Sequence, residues 1–233
     1  MLILAFDSTA QVASAALCED ARVIAAFHLK NGNTHSETLL PMAKALLDTT
    51  GRTVDDVDLF AVSHGPGSFT GVRIGAATVK GLAFGKQKTV IGVSTLEALA
   101  TNLLPTNGLI CPVMNARRGQ VYNALFEANG DTLTRLCPDR AISVADLEAE
   151  LATRGVPFYL VGDGADMTRD MMKTLKPLPL QDTLVDQNAI SVARCALLAY
   201  QSGVRTTDKE LSPVYLRLPQ AERERLEREA SKS

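Results

Sequence analysis

The first hundred residues alternate short apolar runs with longer amphipathic stretches, which is typical of strands connected by helices. Three apolar runs come first, and polar pairs such as Glu19-Asp20 separate them as turns. A wide apolar stripe at helical spacing follows and stops at Gly51, a residue that favours helix termination. The pattern predicts strands over residues 2–6, 12–17, 22–29, 58–63 and 89–93, and helices over about 34–50, 68–84 and 94–104.

A similar order of elements restarts after residues 105–108, where proline, asparagine and glycine indicate a linker. The second half is predicted to hold strands over 109–114, 119–127, 132–136 and 157–161, and helices over 143–154, 166–175 and 190–201. Both halves therefore begin with three strands, a helix and a strand. We predict an N-terminal lobe over 1–105, a C-terminal lobe over 106–218, and a charged tail over 219–233 that is solvated or disordered. A docking segment is the alternative interpretation of the tail.

Two similar halves around a cleft indicate an α/β, two-lobed, duplicated fold of the actin-like type (ASKHA, ribonuclease H-like). Proteins of this architecture, such as sugar kinases, bind ATP between their lobes. Element order alone does not decide the activity, because one fold hosts many functions.

Composition and charge narrow the function classes. Hydrophobic residues make up 46% of the chain and aromatic residues only 5%, so aliphatic side chains must fill the core. The balance of 24 basic and 26 acidic residues argues against a protein that holds nucleic acid alone. The four cysteines lack metal-binding spacing, and no stretch reaches the roughly 20 apolar residues of a membrane helix. We expect a soluble, cytoplasmic protein that does not contact a membrane.

The most informative segment is GPGSFTGVRIG at residues 65–75, between a predicted strand and a predicted helix. Gly65 and Gly67 flank a proline, so the backbone is expected to turn sharply there. Ser68 or Thr70 can cap the helix that follows. Such a turn either cradles a phosphate at the helix N-terminus or brings a helix close to another element, and the sequence leaves both interpretations open.

Metal and nucleophile chemistry find little support. The three histidines, His28, His35 and His64, show no i,i+4 pair, so no metal site is expected. Ser68 lies in no G-x-S-x-G elbow, and a capping role suits it better than nucleophilic attack.

A nucleotide cleft is the remaining chemical candidate. Asp7 ends the first strand and Thr9 follows it, a position where kinase-like folds hold Mg²⁺ and phosphate. The matching position of the second half is Asn115, whose neutral amide is a poor Mg²⁺ ligand. Gly162 and Gly164 could approach an adenine. A vestigial cleft is at least as well supported as a working one, and an Asp7 that only caps a turn is an equal alternative.

The helices over 34–50 and 68–84 form the last candidate site. Small residues recur every four positions in the second helix, which allows another helix to pack closely, and the first is more apolar than one buried stripe requires. One face of this helix pair would cover the sheet, and the opposite face would bind a partner. The alternative is that both helices only cover their own sheet. The predicted partner interface comprises Leu39, Leu40, Met42, Ala43, Leu46, Leu47, Gly71, Arg73, Ile74, Gly75 and Thr78.

The chain resembles the TsaB (YeaZ) family along nearly its whole length. The similarity rests on residues 4–9 (LAFDST), 35–41 (HSETLLP), 65–75, 92–96 (GVSTL), 115–122 (NARRGQVY) and 213–217 (PVYLR).

The resemblance implies a part in making threonylcarbamoyladenosine in tRNA. It implies a non-catalytic scaffold subunit that binds the catalytic subunit TsaD through a helical bundle. The resemblance further implies that TsaE joins that pair and that a homodimer forms when the chain is alone. It implies tRNA contact only through the complex, no cofactor required by this chain, and at most weak ATP or ADP binding.

The sequence departs from the family at Asn115 and Gln120, where relatives often carry Asp and Glu. Both changes remove charge near the cleft. The alternative function, an ATP-dependent kinase or ATPase of the actin-like superfamily, is weakened by them. A peptidase is the third and least supported hypothesis.

Overall fold

A computed structural model describes residues 1–217, so the predicted tail lies outside the described residues. The elements of the first half are β1 Leu2–Asp7, β2 Ala13–Glu19, β3 Arg22–Leu29, α1 His35–Thr50, β4 Leu59–Gly65, α2 Phe69–Ala83, β5 Thr89–Ser94 and α3 Thr95–Thr101. The strands form a five-stranded sheet in the order β3-β2-β1-β4-β5. Strand β1 lies at its centre, antiparallel to β2 and parallel to β4.

The second half forms a sheet in which β10-β7-β6-β8-β9 are neighbours and β11 pairs with β6 in parallel. Helices α4 and α5 pack on this sheet, and α4 is capped by Ser143, whose hydroxyl accepts a hydrogen bond from Asp146 N. The elements are β6 Thr106–Asn115, β7 Gln120–Asn123, β8 Phe126–Gly130, β9 Thr132–Arg135, β10 Arg140–Ser143, α4 Val144–Arg154, β11 Phe158–Val161, α5 Ala165–Met171 and α6 Ala189–Gln201.

Helix layers cover both faces of the first sheet, which explains why β1 is apolar at consecutive positions. Leu4 and Phe6 point into a core with α1 and α2, while Ile3 and Ala5 point into a core with α6. Helix α6, expected to close the second half, therefore packs on the first sheet. The division of the chain between residues 105 and 106 stays a prediction.

The structure differs from the predicted elements at five points. The predicted linker over 105–108 is largely strand, because Thr106 to Gly108 pair with Gly130 to Ala128. The single strand predicted over 119–127 is two strands, β7 and β8, separated by buried Ala124 and Leu125. Strand β10 was not predicted, because its four residues gain strand geometry only by pairing with β7. Helices α3 and α5 end at Thr101 and Met171, earlier than predicted.

Candidate functional site

A cleft of about 630 Å³ opens where the turn after β1, the turn before α2 and the end of β6 meet. Its wall is completed by the chain segment after α6, which we call the strap (residues 214–217). The cleft is lined by Thr9, Ala10, Gln11, Pro66, Gly67, Ser68, Phe69, Thr70, Met114, Asn115, Ala116, Arg117, Tyr122, Asp163, Val214, Tyr215, Leu216 and Arg217.

Asp7 is fully buried and is not one of the lining residues. Its carboxylate accepts hydrogen bonds from Thr9 N at 2.8 Å, from the Thr9 hydroxyl at 2.7 Å and from the Ser63 hydroxyl. Burial raises the pKa of this carboxyl above its ordinary value, although the three hydrogen bonds act in the opposite direction. These contacts favour the interpretation in which Asp7 holds the turn after β1.

Thr9 and Asn115 face the cleft from the two halves. Thr9 is buried, and its hydroxyl donates to Asp7. Asn115 is exposed, and its side-chain oxygen accepts a hydrogen bond from Arg117 N at 2.8 Å. The two residues therefore stabilise the two turns that border the cleft.

Gly162 and Gly164 lie where two chain segments approach each other so closely that a side chain would not fit. A Cβ at Gly162 would lie 2.3 Å from the Val113 carbonyl oxygen, and one at Gly164 would lie 3.0 Å from Asn115 N. Gly162 also has a φ of +110°, which side-chain-bearing residues rarely adopt. Both glycines allow the chain after β11 to cross the end of β6.

Asp163, between these glycines, lines the cleft. The sequence indicated the segment Gly162-Asp163-Gly164 but assigned no role to this carboxylate. Its side chain stays open to solvent, yet desolvation by the surrounding protein raises its pKa to about 6. Gln187 donates a hydrogen bond to it at 3.4 Å, which partly offsets that rise. The signal in the sequence was a carboxylate placed directly after a predicted strand. Strand β11 runs parallel to β6, so Asp163, which follows β11, and Asn115, the last residue of β6, lie at the same edge of the second sheet.

The Gly-rich turn serves close packing inside this chain. Ser68 caps α2 as predicted, because its hydroxyl accepts a hydrogen bond from Gly71 N at 3.3 Å. A Cβ at Gly71 would lie 2.0 Å from the Ser8 carbonyl oxygen, and one at Gly75 would lie 2.7 Å from the Ser8 hydroxyl. Gly71 and Gly75 therefore let α2 lie directly on the turn after β1.

Most of the predicted interface residues are packed inside the chain itself. Seven are buried and cannot present their side chains freely to a partner: Leu39, Met42, Ala43, Leu46, Leu47, Gly71 and Gly75. Their assignment to a partner surface stays a prediction, because within this chain they form the contact between α1, α2 and the first half. Leu40 and Arg73 are exposed, and Ile74 and Thr78 are partly exposed.

The accessible side of this helix pair forms what we call the outer face, defined by Leu40, Pro41 and Lys44 of α1 and Ile74, Thr78 and Leu82 of α2. Ile74, Thr78 and Leu82 recur at i,i+4 spacing on one stripe of α2. Leu40, Pro41, Lys44 and Leu82 also border a groove of about 770 Å³. The exposed fraction of Leu40 is 51%.

The described part of the chain holds neither a candidate metal cluster nor a membrane-spanning helix. Within residues 1–217, no three His, Cys, Asp or Glu side chains lie close enough together to hold a metal ion. None of the helices over those residues is long and apolar enough to span a membrane.

The two sheets, their flanking helices and the cleft define a protein of the α/β actin-like class, as predicted. A family model described as "TsaD: tRNA N6-adenosine threonylcarbamoyltransferase" matches residues 29–222. The chain is 32% identical over 229 residues to the tRNA threonylcarbamoyladenosine biosynthesis protein TsaB of Bacillus subtilis, covering 95% of this chain and 96% of that one. It is 40% identical over 129 residues to TsaB of Escherichia coli, covering 54% of this chain and 55% of that one.

A solved structure described as YeaZ from Pseudomonas aeruginosa superposes with a TM-score of 0.78 at 26% identity, covering 92% of this chain and 99% of that one. The chain belongs to the TsaB (YeaZ) family of tRNA threonylcarbamoyladenosine biosynthesis proteins, and the predicted resemblance is confirmed.

Proposed function

We propose that this protein is a non-catalytic scaffold subunit of the tRNA threonylcarbamoyladenosine synthesis complex, and that it binds TsaD through the outer face of α1 and α2. The observation that carries the proposal is an accessible apolar surface on two packed helices in a TsaB-family chain. Exposed contiguous apolar surface favours association with another molecule.

The chemistry of the outer face suits a helical partner. Ile74, Thr78 and Leu82 form a stripe of medium-sized side chains along α2. This stripe lies beside a groove bordered by Leu40 and Pro41. Helices pack by placing side chains of one into the grooves of the other, so this surface fits an apolar helix. The same face would serve a second copy of the chain when TsaD is absent.

The turns at the cleft support a non-catalytic role. The Asp7 carboxylate already accepts three hydrogen bonds from Thr9 and Ser63. Asn115 offers a neutral amide that already binds the backbone of its own turn. These two side chains are therefore poorly placed to serve Mg²⁺ or acid–base chemistry. We infer that no cofactor is required by this subunit alone, and that TsaE and tRNA are bound through the complex in the cytoplasm.

The experiment is a calorimetric titration of TsaD with two variants of this chain. Leu40→Asp places a charge on the outer face, whereas the control Leu198→Asp places one on α6, where Leu198 is 63% exposed. We expect Leu40→Asp to weaken binding at least about tenfold and Leu198→Asp to bind like the wild type. Equal affinities of both variants would contradict the proposed interface. Leu46→Asp is unsuitable, since Leu46 is buried in the chain's own core.

An ATP-dependent kinase or ATPase is the second candidate, favoured by the cleft beside the N-terminus of α2. The lining hydroxyls of Ser68 and Thr70 and the helix amides form an environment that suits phosphate. Titration with Mg-ATP separates the candidates. A scaffold subunit should bind ATP with a Kd of roughly 1 mM or weaker, which corresponds to about 4 kcal/mol. Binding near 1 µM together with ATP hydrolysis by the isolated chain would favour the kinase or ATPase.

A further inference from the structure

Several contacts join the two halves of the molecule, and two of these junctions differ in kind. One junction is apolar and lies along α3, where Leu96 and Leu99 pack against Ile110, Met114 and Val161 of the second half. Polar contacts reinforce it: Ser94 donates to Asp139 at 2.6 Å, and Arg135 pairs with Glu97 at 2.9 Å. No residue of α3 is one of the cleft lining residues described above.

The second junction is the strap, which crosses from one half to the other along the cleft. Leu211 anchors the segment that leads into it, because this side chain is 4% exposed and packs in the core of the first half. Val214 N then donates to the His64 carbonyl oxygen at 2.7 Å. Gly65 permits this approach, since a Cβ there would lie 2.3 Å from the Val214 carbonyl oxygen.

The far end of the strap reaches the second half. The Tyr215 ring lies 4.8 Å from the Phe69 ring at the start of α2, centroid to centroid. Two residues later, Arg217 Nη1 donates to the Ala116 carbonyl oxygen at 2.7 Å. Ala116 belongs to the turn after β6, which is closed by hydrogen bonds with Gln120. The strap thus connects the turn before α2 with the turn after β6.

The two junctions differ in how readily they separate. The α3 junction buries several leucines, and opening it would expose apolar surface to water. Arg217 contacts Ala116 through one hydrogen bond at a partly exposed site. If this bond breaks, water can take the place of either partner. A rotation of the halves about α3 would therefore meet least resistance at the strap.

We propose that the strap is a releasable latch between the two halves: the halves hinge about α3, and the Arg217 contact with Ala116 holds the cleft closed. Release of the latch would widen the cleft and loosen the two turns that the strap connects, while both sheets stay folded. The inference is independent of whether the outer face binds TsaD.

The test uses hydrogen–deuterium exchange on the full chain and on three variants. Arg217→Ala removes the contact with Ala116, and Arg217→Lys keeps a cationic donor in its place. Arg205→Ala is the matched control, because Arg205 also donates to carbonyl oxygens and lies on a tyrosine ring, Tyr200, but bridges only its own segment.

We expect Arg217→Ala to speed exchange at least tenfold at the amides of Val214 and Gln120, and to leave the α3 amides within twofold of the wild type. Arg217→Lys should restore part of the protection, and Arg205→Ala should change neither amide. X-ray scattering should show a larger radius of gyration for Arg217→Ala than for Arg205→Ala.

Three results would overturn the proposal. Unchanged exchange at Val214 and Gln120 would mean that the contact holds nothing closed. Faster exchange along α3 to the same extent would mean that the strap belongs to the global folding unit. An unchanged radius of gyration would exclude the opening of the halves.

Discussion

The inner and outer faces of α1 and α2 carry similar apolar residues but lie in different environments. On the inner face, Leu46 is 1% exposed and Gly71 lies against the Ser8 backbone, so this side stabilises the first half. On the outer face, Leu40 is 51% exposed beside the groove. Small residues at helical spacing therefore do not reveal which surface they serve. The position of Ser8, set by the folded turn after β1, decides it.

Two leucines of α1 give the largest contrast between the faces. Leu46→Ala should lower the free energy of unfolding by about 2–5 kcal/mol, because it leaves a cavity in the core. Leu40→Ala should change it by no more than about 0.5 kcal/mol, because Leu40 is largely in water. Chemical denaturation followed by circular dichroism measures both. Similar losses in the two variants would contradict the assignment of the faces.

Two glycines of α2 should give effects of opposite sign. Gly71→Ala should destabilise the fold by about 1–3 kcal/mol, because the new Cβ would overlap the Ser8 carbonyl oxygen and the backbone would have to shift. Gly81 is exposed, and a Cβ added there would meet no atom within 4 Å, so Gly81→Ala should stabilise the helix by about 0.5 kcal/mol. Thermal melts of both variants decide the matter, and a Gly71→Ala protein as stable as the wild type would refute the close contact.

Asp7 and Asp163, the two aspartates near the cleft, show the same contrast between a buried and an open position. Asp163 has a pKa raised to about 6, above the unfolded value near 3.8, so the folded state binds its proton more tightly. Its contribution to stability is complete below about pH 4 and is lost as the pH rises through 6. Because Asp163 is open to solvent, we expect a contribution of only about 1 kcal/mol after screening.

Asp163→Asn should remove this part of the pH dependence. Relative to the wild type, the variant should gain stability between about pH 4 and pH 6 and keep that gain at higher pH. Melting temperatures of both proteins between pH 4 and pH 8 provide the measurement. Parallel pH profiles would show that Asp163 titrates with its ordinary pKa.

Local patterns in the sequence predicted most of the fold. The strand at Leu2–Asp7, the helix ended by Gly51 and the Ser68 cap all depend on neighbouring residues, and all three are present. Strand β10 and the strand residues Thr106 to Gly108 depend on partners distant in the chain, and the sequence did not reveal them. The placement of α6 on the first sheet is likewise a property of tertiary packing.

The candidate site was less predictable than the fold, because the orientation of each side chain decides which groups face the cleft. The sequence placed Thr9 and Asn115 at the cleft, where both lie, but it could not show that the Asp7 carboxylate is occupied by Thr9 and Ser63. It marked residues 213–217 as part of a family resemblance without indicating that residues 214–217 form a wall of the cleft. Distances between turns that are far apart in the chain carry this information, and no local pattern encodes them.

The variant with the smallest expected effect on stability, Leu40→Asp, also gives the most direct test of the proposed interface. Leu40→Asp should melt within a few degrees of the wild type, because the charge stays in water. Light scattering of each protein mixed with TsaD then measures the mass of the assembly. We predict a heterodimer for the wild type and separate chains for Leu40→Asp. A heterodimer of unchanged mass and yield with the folded Leu40→Asp protein would contradict the claim that the outer face binds TsaD.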